Sequence, residues 1–207
     1  MKPIFCLVGE SGSGKSTYLD LITNQYKNIK ELKYCTTRSK RYAEEDTYYF
    51  MTNDEYLNIA KDNLTTNEII ESRMYEKYDE KVYYFTLRKN LEVENCDALI
   101  CAASVDQALS YRSVLDNVYI IDIKVDLKER LKRLIERTNT NDEILEVCRR
   151  TIEEQEEYSK LNKIEDNIIH IYNDNSKFEF PNQGDLLYAL ITTYNLKNIM
   201  EYINNHI

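Results

Sequence analysis

Glycine is scarce in this sequence. The 207 residues contain four, and three of them (Gly9, Gly12 and Gly14) crowd into one short stretch. A chain that otherwise avoids glycine spends it where backbone geometry demands it. Histidine is scarcer still, with two residues, and the five cysteines form no C-x-x-C pair. That spacing excludes the common zinc patterns, and an odd thiol count reads as reduced, inert cysteines rather than a Cys/His dyad. Positive charge is also in deficit: 27 Lys and Arg against 36 Asp and Glu give a net charge of −9. A protein that binds nucleic acid by neutralising phosphates needs the opposite balance. No apolar run approaches the ~18 residues of a membrane span, and no signal-peptide pattern opens the chain. The expectation is a soluble cytoplasmic protein with neither nucleic acid nor membrane as partner.

What is present is an ordinary globular balance, 43% hydrophobic and 30% charged, long enough for one well-packed domain with small insertions. Apolar, β-branched or tyrosine-rich runs predict strands at 4–8, 47–50, 68–71, 82–85, 98–102, 118–124 and 168–172. Helical periodicity appears at 15–24, 127–136, 143–159 and 185–202, with a shorter helix near 54–62. Strands alternating with helices predict an α/β protein with a parallel sheet covered on both faces. The stretch 33–86 breaks that rhythm and reads as an inserted mixed-sheet subdomain.

"GESGSGKST", Gly9 to Thr17, matches G-x-x-x-x-G-K-[ST] between a predicted strand and a predicted helix. Backbone N–H groups of such a loop converge on phosphate oxygens, and the helix dipole adds attraction. Gly9, Ser11, Gly12, Ser13, Gly14, Lys15, Ser16 and Thr17 are therefore expected to cradle a nucleotide's phosphates. Lys15 would reach the β- and γ-phosphates, and the Ser16 hydroxyl would bind Mg²⁺.

A second cationic stretch, "KYCTTRSKR" at 33–41, sets two arginines beside threonines in an acidic protein. Arginine suits a second phosphate because its planar fork bonds two oxygens together. The run Thr36-Thr37-Arg38, Arg41, Glu44 and Tyr48-Tyr49-Phe50 resembles the T-T-R-x-x-R-x-x-E and tyrosine signature of the guanylate kinases. "NEIIES" (67–72) is similar to their N-E-F-I-E-W segment, "YYFT" (83–86) to Y-Y-G-[ST], and "IYND" (171–174) to V-N-D. "RLIER" (133–137) and "EVCRR" (146–150) resemble their lid.

The resemblance implies an ATP- and Mg²⁺-dependent transfer of the γ-phosphoryl group to GMP or dGMP. It implies that Arg38, Arg41, Tyr48 and Tyr84 hold the acceptor's phosphate, with Thr36 and Thr86 also on the acceptor, Thr86 at its base. Glu71 would accept from guanine N1–H and the 2-amino group. Arg133, Arg137 and either Arg149 or Arg150 would reach the transferring phosphoryl group, and Asn173 would lie near the adenine of ATP. It also implies a three-layer P-loop NTPase fold in one domain of 1–207. Its core would be 1–32, 87–124 and 151–207, with an acceptor-binding insertion at 33–86 and a helical lid at 125–150. Two further readings stand beside it: a related kinase with another small phosphorylated acceptor, and a silent guanylate-kinase-like binding module.

The sequence departs from the family pattern in three places. Ser104 falls where the family has an aspartate, with Asp106 two residues on as a weak substitute. Phe85 replaces a glycine within a lengthened hairpin. Tyr34 and Cys35 replace small hydroxyl residues that assist base recognition. Phosphate recognition is intact in this reading, and base recognition is altered.

Overall fold

The computed structural model describes residues 2–77, 80–161 and 168–173. In chain order its first half runs β1 (Ile4–Val8), α1 (Lys15–Gln25), β2 (Ile29–Glu31), β3 (Cys35–Thr36), β4 (Tyr49–Phe50), α2 (Asn53–Thr66), β5 (Ile69–Lys77) and β6 (Glu80–Leu87). A 3₁₀ turn (Arg88–Leu91) leads to β7 (Ala98–Ala102), α3 (Val105–Val114), β8 (Val118–Lys124), α4 (Leu127–Ile135), α5 (Asn141–Leu161) and β9 (Ile168–Tyr172). The helix expected at 185–202 lies outside the described residues.

β1 is buried at every position. An apolar run without polar alternation fits a strand covered on both faces. β1 is the middle strand of a five-stranded sheet in the order β2-β7-β1-β8-β9, and every pairing in it is parallel. One face packs Phe5, Leu7, Ile100, Ile121 and Ile123 against Tyr18, Leu19 and Ile22 of α1. The other packs Cys6, Val8, Leu99 and Cys101 against Val105, Ala108 and Tyr111 of α3 and Leu161 of α5. The alternation within each strand thus divides its side chains between two helical layers, which makes the sheet the middle of three.

A second, four-stranded sheet has the order β4-β3-β6-β5. β3 runs parallel to β4 and antiparallel to β6, and β5 and β6 form a long antiparallel hairpin. α2 closes one face, with Tyr56 on Cys35, Phe85 and Leu87. A capping box starts α2: the Thr52 hydroxyl accepts from Glu55 N–H while the Glu55 carboxylate accepts from Thr52 N–H. Asn67, in the left-handed conformation at φ 56°, ends it. Hydrogen bonds tie this subdomain to β7 and α3, among them Tyr34 Oη donating to the Ala102 carbonyl at 3.0 Å and Thr86 Oγ1 meeting Tyr111 Oη at 2.6 Å.

The expected strands at 4–8, 98–102, 118–124 and 168–172 match observed elements residue for residue. β2, β3 and α3 were not expected from periodicity. β2 and β3 are too short to show a period, and α3 buries Gln107 and Tyr111 in a hydrogen bond, which blurs its apolar stripe.

Candidate functional site

The chain leaves β1 at Val8 and starts α1 at Lys15, so Gly9–Gly14 turn in six residues at the carboxyl end of the sheet's middle strand. Gly14 sits at φ 100°, and a Cβ there would lie 2.6 Å from Asn173 Nδ2. At Gly9 a Cβ would come within 2.8 Å of the Ile123 carbonyl oxygen. Both glycines are therefore required by close approach of neighbouring backbone and side chain. No side chain caps α1 and no acid occupies its first turn, which leaves its leading N–H groups available to an anion. Ser16 and Thr17 are exposed there, whereas Ser13 is buried.

Charged groups converge on this loop from two helices. Lys15 folds back, its Nζ donating to the Gly9 carbonyl and, at 3.3 Å, to that of Glu10. Desolvation lowers the Lys15 ammonium below the ordinary lysine range, against the pull of Glu154 and Glu157. From α5, the Glu154 carboxylate accepts from Ser11 N–H at 2.7 Å and from the Ser11 hydroxyl. From α4, Arg130 is 2% exposed and donates to the Ser11 carbonyl at 3.2 Å and to Glu10 Oε1 at 2.8 Å. Burial raises the Glu10 carboxyl, and Arg130 opposes that shift. Asn173 Nδ2 donates to the Ser13 carbonyl at 2.8 Å, so this side chain braces the loop.

Of the expected lid arginines, Arg133 lies nearest: it pairs with Glu129 and donates to the Asn173 carbonyl at 3.3 Å. Arg137 is exposed. Arg149 is exposed and bonds Glu146 and Glu153 on its own helix, and Arg150 bonds Glu146. Carboxylates three and four residues away on one helix face are the nearest partners available to them. Arg130 and Glu154 were missed from sequence. Glu154 had a signal, because Val147, Thr151, Glu154, Tyr158 and Leu161 recur at helical spacing along the less exposed face of α5.

On the second sheet, Arg38 donates through Nη2 to Glu45 Oε1 at 2.7 Å and through Nη1 to Glu45 Oε2 at 3.2 Å. Its guanidinium also lies 5.4 Å from the ring centres of both Tyr48 and Phe50. Tyr48 in turn meets Tyr84 edge to face at 5.7 Å. Arg38, Tyr48 and Tyr84 thus form one cluster. The Arg41 backbone N–H joins it through Glu45 at 2.7 Å, with the Arg41 side chain exposed. The acid that organises this loop is the buried Glu45; Glu44, the residue in the family register, is exposed. The Arg38 hydrogen bond holds the Glu45 carboxyl below its ordinary range. Thr36 and Thr86 are fully buried, with hydroxyls bonded to the Tyr83 carbonyl and to Tyr111.

Glu71 is 6% exposed, and burial raises its carboxyl while Arg73 opposes the shift. A register shift between Ile69 and Glu71 sets Glu71 opposite Thr86 and Arg73 opposite Tyr84. Arg73 Nε lies 2.7 Å from Glu71 Oε1, angled so that neither atom is in an aligned hydrogen bond. Arg73 Nη1 donates to Ser104 Oγ at 2.8 Å, and Ser104 is the N-cap of α3. Asp106 is turned to the surface, where Lys160 holds both its oxygens. Asp174, the last residue of the 171–174 stretch, lies outside the described residues.

A parallel sheet between helical layers, with a glycine-rich phosphate loop from its middle strand into a helix and a mixed sheet beside it, is an α/β P-loop NTPase fold. The chain is similar to a guanylate kinase from Thermotoga maritima, 29% identical over 136 residues, covering 62% of this chain and 62% of that protein. The match thus spans less than two thirds of the relative's length. The fold is similar to the crystal structure of guanylate kinase from Anaplasma phagocytophilum, with a TM-score of 0.56 and 21% identity over 93% of this chain and 85% of that one. No protein-family model matches the chain.

Proposed function

We propose that this protein is a nucleoside monophosphate kinase that transfers the γ-phosphoryl group of ATP to GMP or dGMP, giving ADP and GDP or dGDP. The observation that carries the reading is the pairing of two sites. An uncapped phosphate loop holds Lys15, and beside it a mixed sheet gathers Arg38, Tyr48 and Tyr84 next to the buried carboxylate of Glu71. Phosphoryl transfer needs in-line positioning and charge stabilisation rather than a covalent intermediate, and this arrangement offers both. The intact loop disfavours a silent binding module.

In this reading Gly9–Thr17 bind the ATP phosphates, Lys15 and Arg133 stabilise the transferring group, and Arg137 with Arg149 or Arg150 approach on closure. Arg130 orients the loop. Arg38, Arg41, Tyr48 and Tyr84 hold the acceptor's phosphate and Glu71 its base. Asn173 braces the adenine end of the loop. Thr36 and Thr86 support the acceptor pocket from beneath, since their hydroxyls are already bonded. Residues 33–86 are taken as the acceptor-binding insertion and 125–150 as the lid.

Mg²⁺, when bound, would supply charge neutralisation to the nucleotide's phosphates. Among the described residues no group of three or more His, Cys, Asp or Glu could hold a metal. The exposed Ser16 hydroxyl and the nucleotide's own phosphates are therefore its proposed ligands. No described helix is long and apolar enough to cross a membrane, and we assign a cytoplasmic location with nucleotides as partners.

The test is ADP release with ATP, Mg²⁺ and each of GMP, dGMP, AMP, CMP and UMP. GMP or dGMP should be the fastest acceptor. Preference for AMP or a pyrimidine nucleotide would overturn the acceptor assignment alone, and no acceptor-dependent ADP release would overturn the kinase assignment.

A further inference from the structure

We infer that Arg73 is a specificity-determining residue of the acceptor site: it reads the 6-position of the purine as a donor, next to Glu71, which reads positions 1 and 2. The inference rests on the proposed nucleoside monophosphate acceptor site.

Arg73 stands two residues after Glu71, so both side chains leave β5 on the same face. Its guanidinium is fixed at two corners, with Nε against Glu71 Oε1 at 2.7 Å and Nη1 on Ser104 Oγ at 2.8 Å. Ser104 is itself positioned by accepting the Gln107 N–H at 3.2 Å as the N-cap of α3. The pair is thus anchored from the parallel-sheet side, while its Nε–Oε1 contact is poorly aligned and leaves both buried Glu71 oxygens without a good donor. A buried carboxylate in that condition favours a ligand that brings donors.

Three neighbouring hydroxyls already hold a hydrogen bond within the protein. Thr86 Oγ1 meets Tyr111, Tyr34 Oη donates to the Ala102 carbonyl, and Thr36 Oγ1 donates to the Tyr83 carbonyl. The charged donor flanking a base against Glu71 is Arg73, on the same face of β5 and in contact with the carboxylate. Guanine presents two donors, the 2-amino group and N1–H, followed by one acceptor, the 6-keto oxygen. The carboxylate matches the donors and the guanidinium matches the keto oxygen. Adenine reverses both matches, its N1 acceptor facing the carboxylate and its 6-amino group facing the guanidinium. The sequence places a positive fork where a keto base gains and an amino base is repelled.

Equilibrium binding of GMP, IMP and AMP, measured by calorimetry without ATP, tests this independently of turnover. IMP keeps the 6-keto group and N1–H but lacks the 2-amino group. Arg73→Gln, which keeps a polar side chain beside Glu71, guards against a variant that fails to fold, and Arg73→Ala is the stricter change. Both should weaken GMP and IMP by the same factor, roughly tenfold or more, and narrow the GMP/AMP ratio while leaving the GMP/IMP ratio unchanged. A GMP/AMP ratio that stays at the wild-type value in folded Arg73→Gln, or a GMP/IMP ratio that changes instead, overturns the role given to Arg73 and leaves the acceptor site standing. Wild-type protein that binds none of the three overturns the acceptor site and this inference together.

Discussion

The carboxylate of Glu154 accepts hydrogen bonds from both the backbone N–H and the hydroxyl of Ser11, so an acid of α5 occupies donors of the phosphate loop. An anionic ligand entering the loop meets this negative charge at close range. Glu154→Gln keeps an acceptor for Ser11 and removes the charge. ADP should bind the variant about fivefold more tightly, the scale of one nearby like charge in a partly solvated site. Titration calorimetry decides it, and equal or weaker binding would show that Glu154 supports the loop rather than competing with nucleotide.

Lys15 is the loop's own cation and is held on the Gly9 and Glu10 carbonyls. Lys15→Ala should reduce phosphoryl transfer by about a thousandfold or more, because an oriented charge on the β/γ-phosphates is lost in the transition state. Its thermal midpoint should equal or exceed that of the wild type, since desolvation already disfavours the ammonium. A folded variant with near-normal turnover would falsify the donor-site assignment.

Arg38 and Glu71 should fail differently. Arg38→Ala removes a contact to the phosphate common to all acceptors, so kcat/KM should fall by a similar factor for every nucleoside monophosphate. Glu71→Ala should lower kcat/KM for GMP by roughly a hundredfold, because the base then faces no acceptor pair. The variant also leaves the Arg73 charge without its carboxylate, so its thermal midpoint should drop as well. Identical acceptor profiles for the two variants would count against separate phosphate and base subsites.

Glu45 carries a pH signature. Its carboxyl is held below the ordinary value of 4.5, first by the Arg38 side chain and then by the Arg41 N–H. A carboxyl depressed on folding contributes stability above its unfolded pKa and loses it as pH falls through the folded one. The wild type should therefore melt above Glu45→Gln at neutral pH, and the gap should shrink once pH drops below 4.5. A gap that is constant across melting curves from neutral to acid pH would exclude the ion pair as its source.

The phosphate loop was legible because its glycines answer to local backbone geometry, which a short motif records in full. Arg38, Tyr48 and Tyr84 were legible as a spaced signature, and the structure gathers them. Glu45 was missed by one residue because an irregular loop carries no period to fix its register. Arg130 and Glu154 reach the loop from helices more than a hundred positions downstream, and only the packing of α4 and α5 reveals that convergence. Arg73 reads on its own as a charged strand residue; its meaning depends on Ser104, which lies 31 residues away in another element.

The contacts from Tyr34 to Ala102, Thr86 to Tyr111 and Arg73 to Ser104 act as three pegs between the mixed sheet and the β7–α3 corner. Two plates pegged at three separated points cannot slide or pivot without breaking those hydrogen bonds, and the Thr86–Tyr111 peg is buried. These contacts hold the mixed sheet against the β7–α3 corner. On the helical side Arg149 and Arg150 are tethered only by exposed ion pairs of their own helix, which solvent readily replaces. On the proposed kinase reading, closure would thus be a one-jawed motion, led by the helical side.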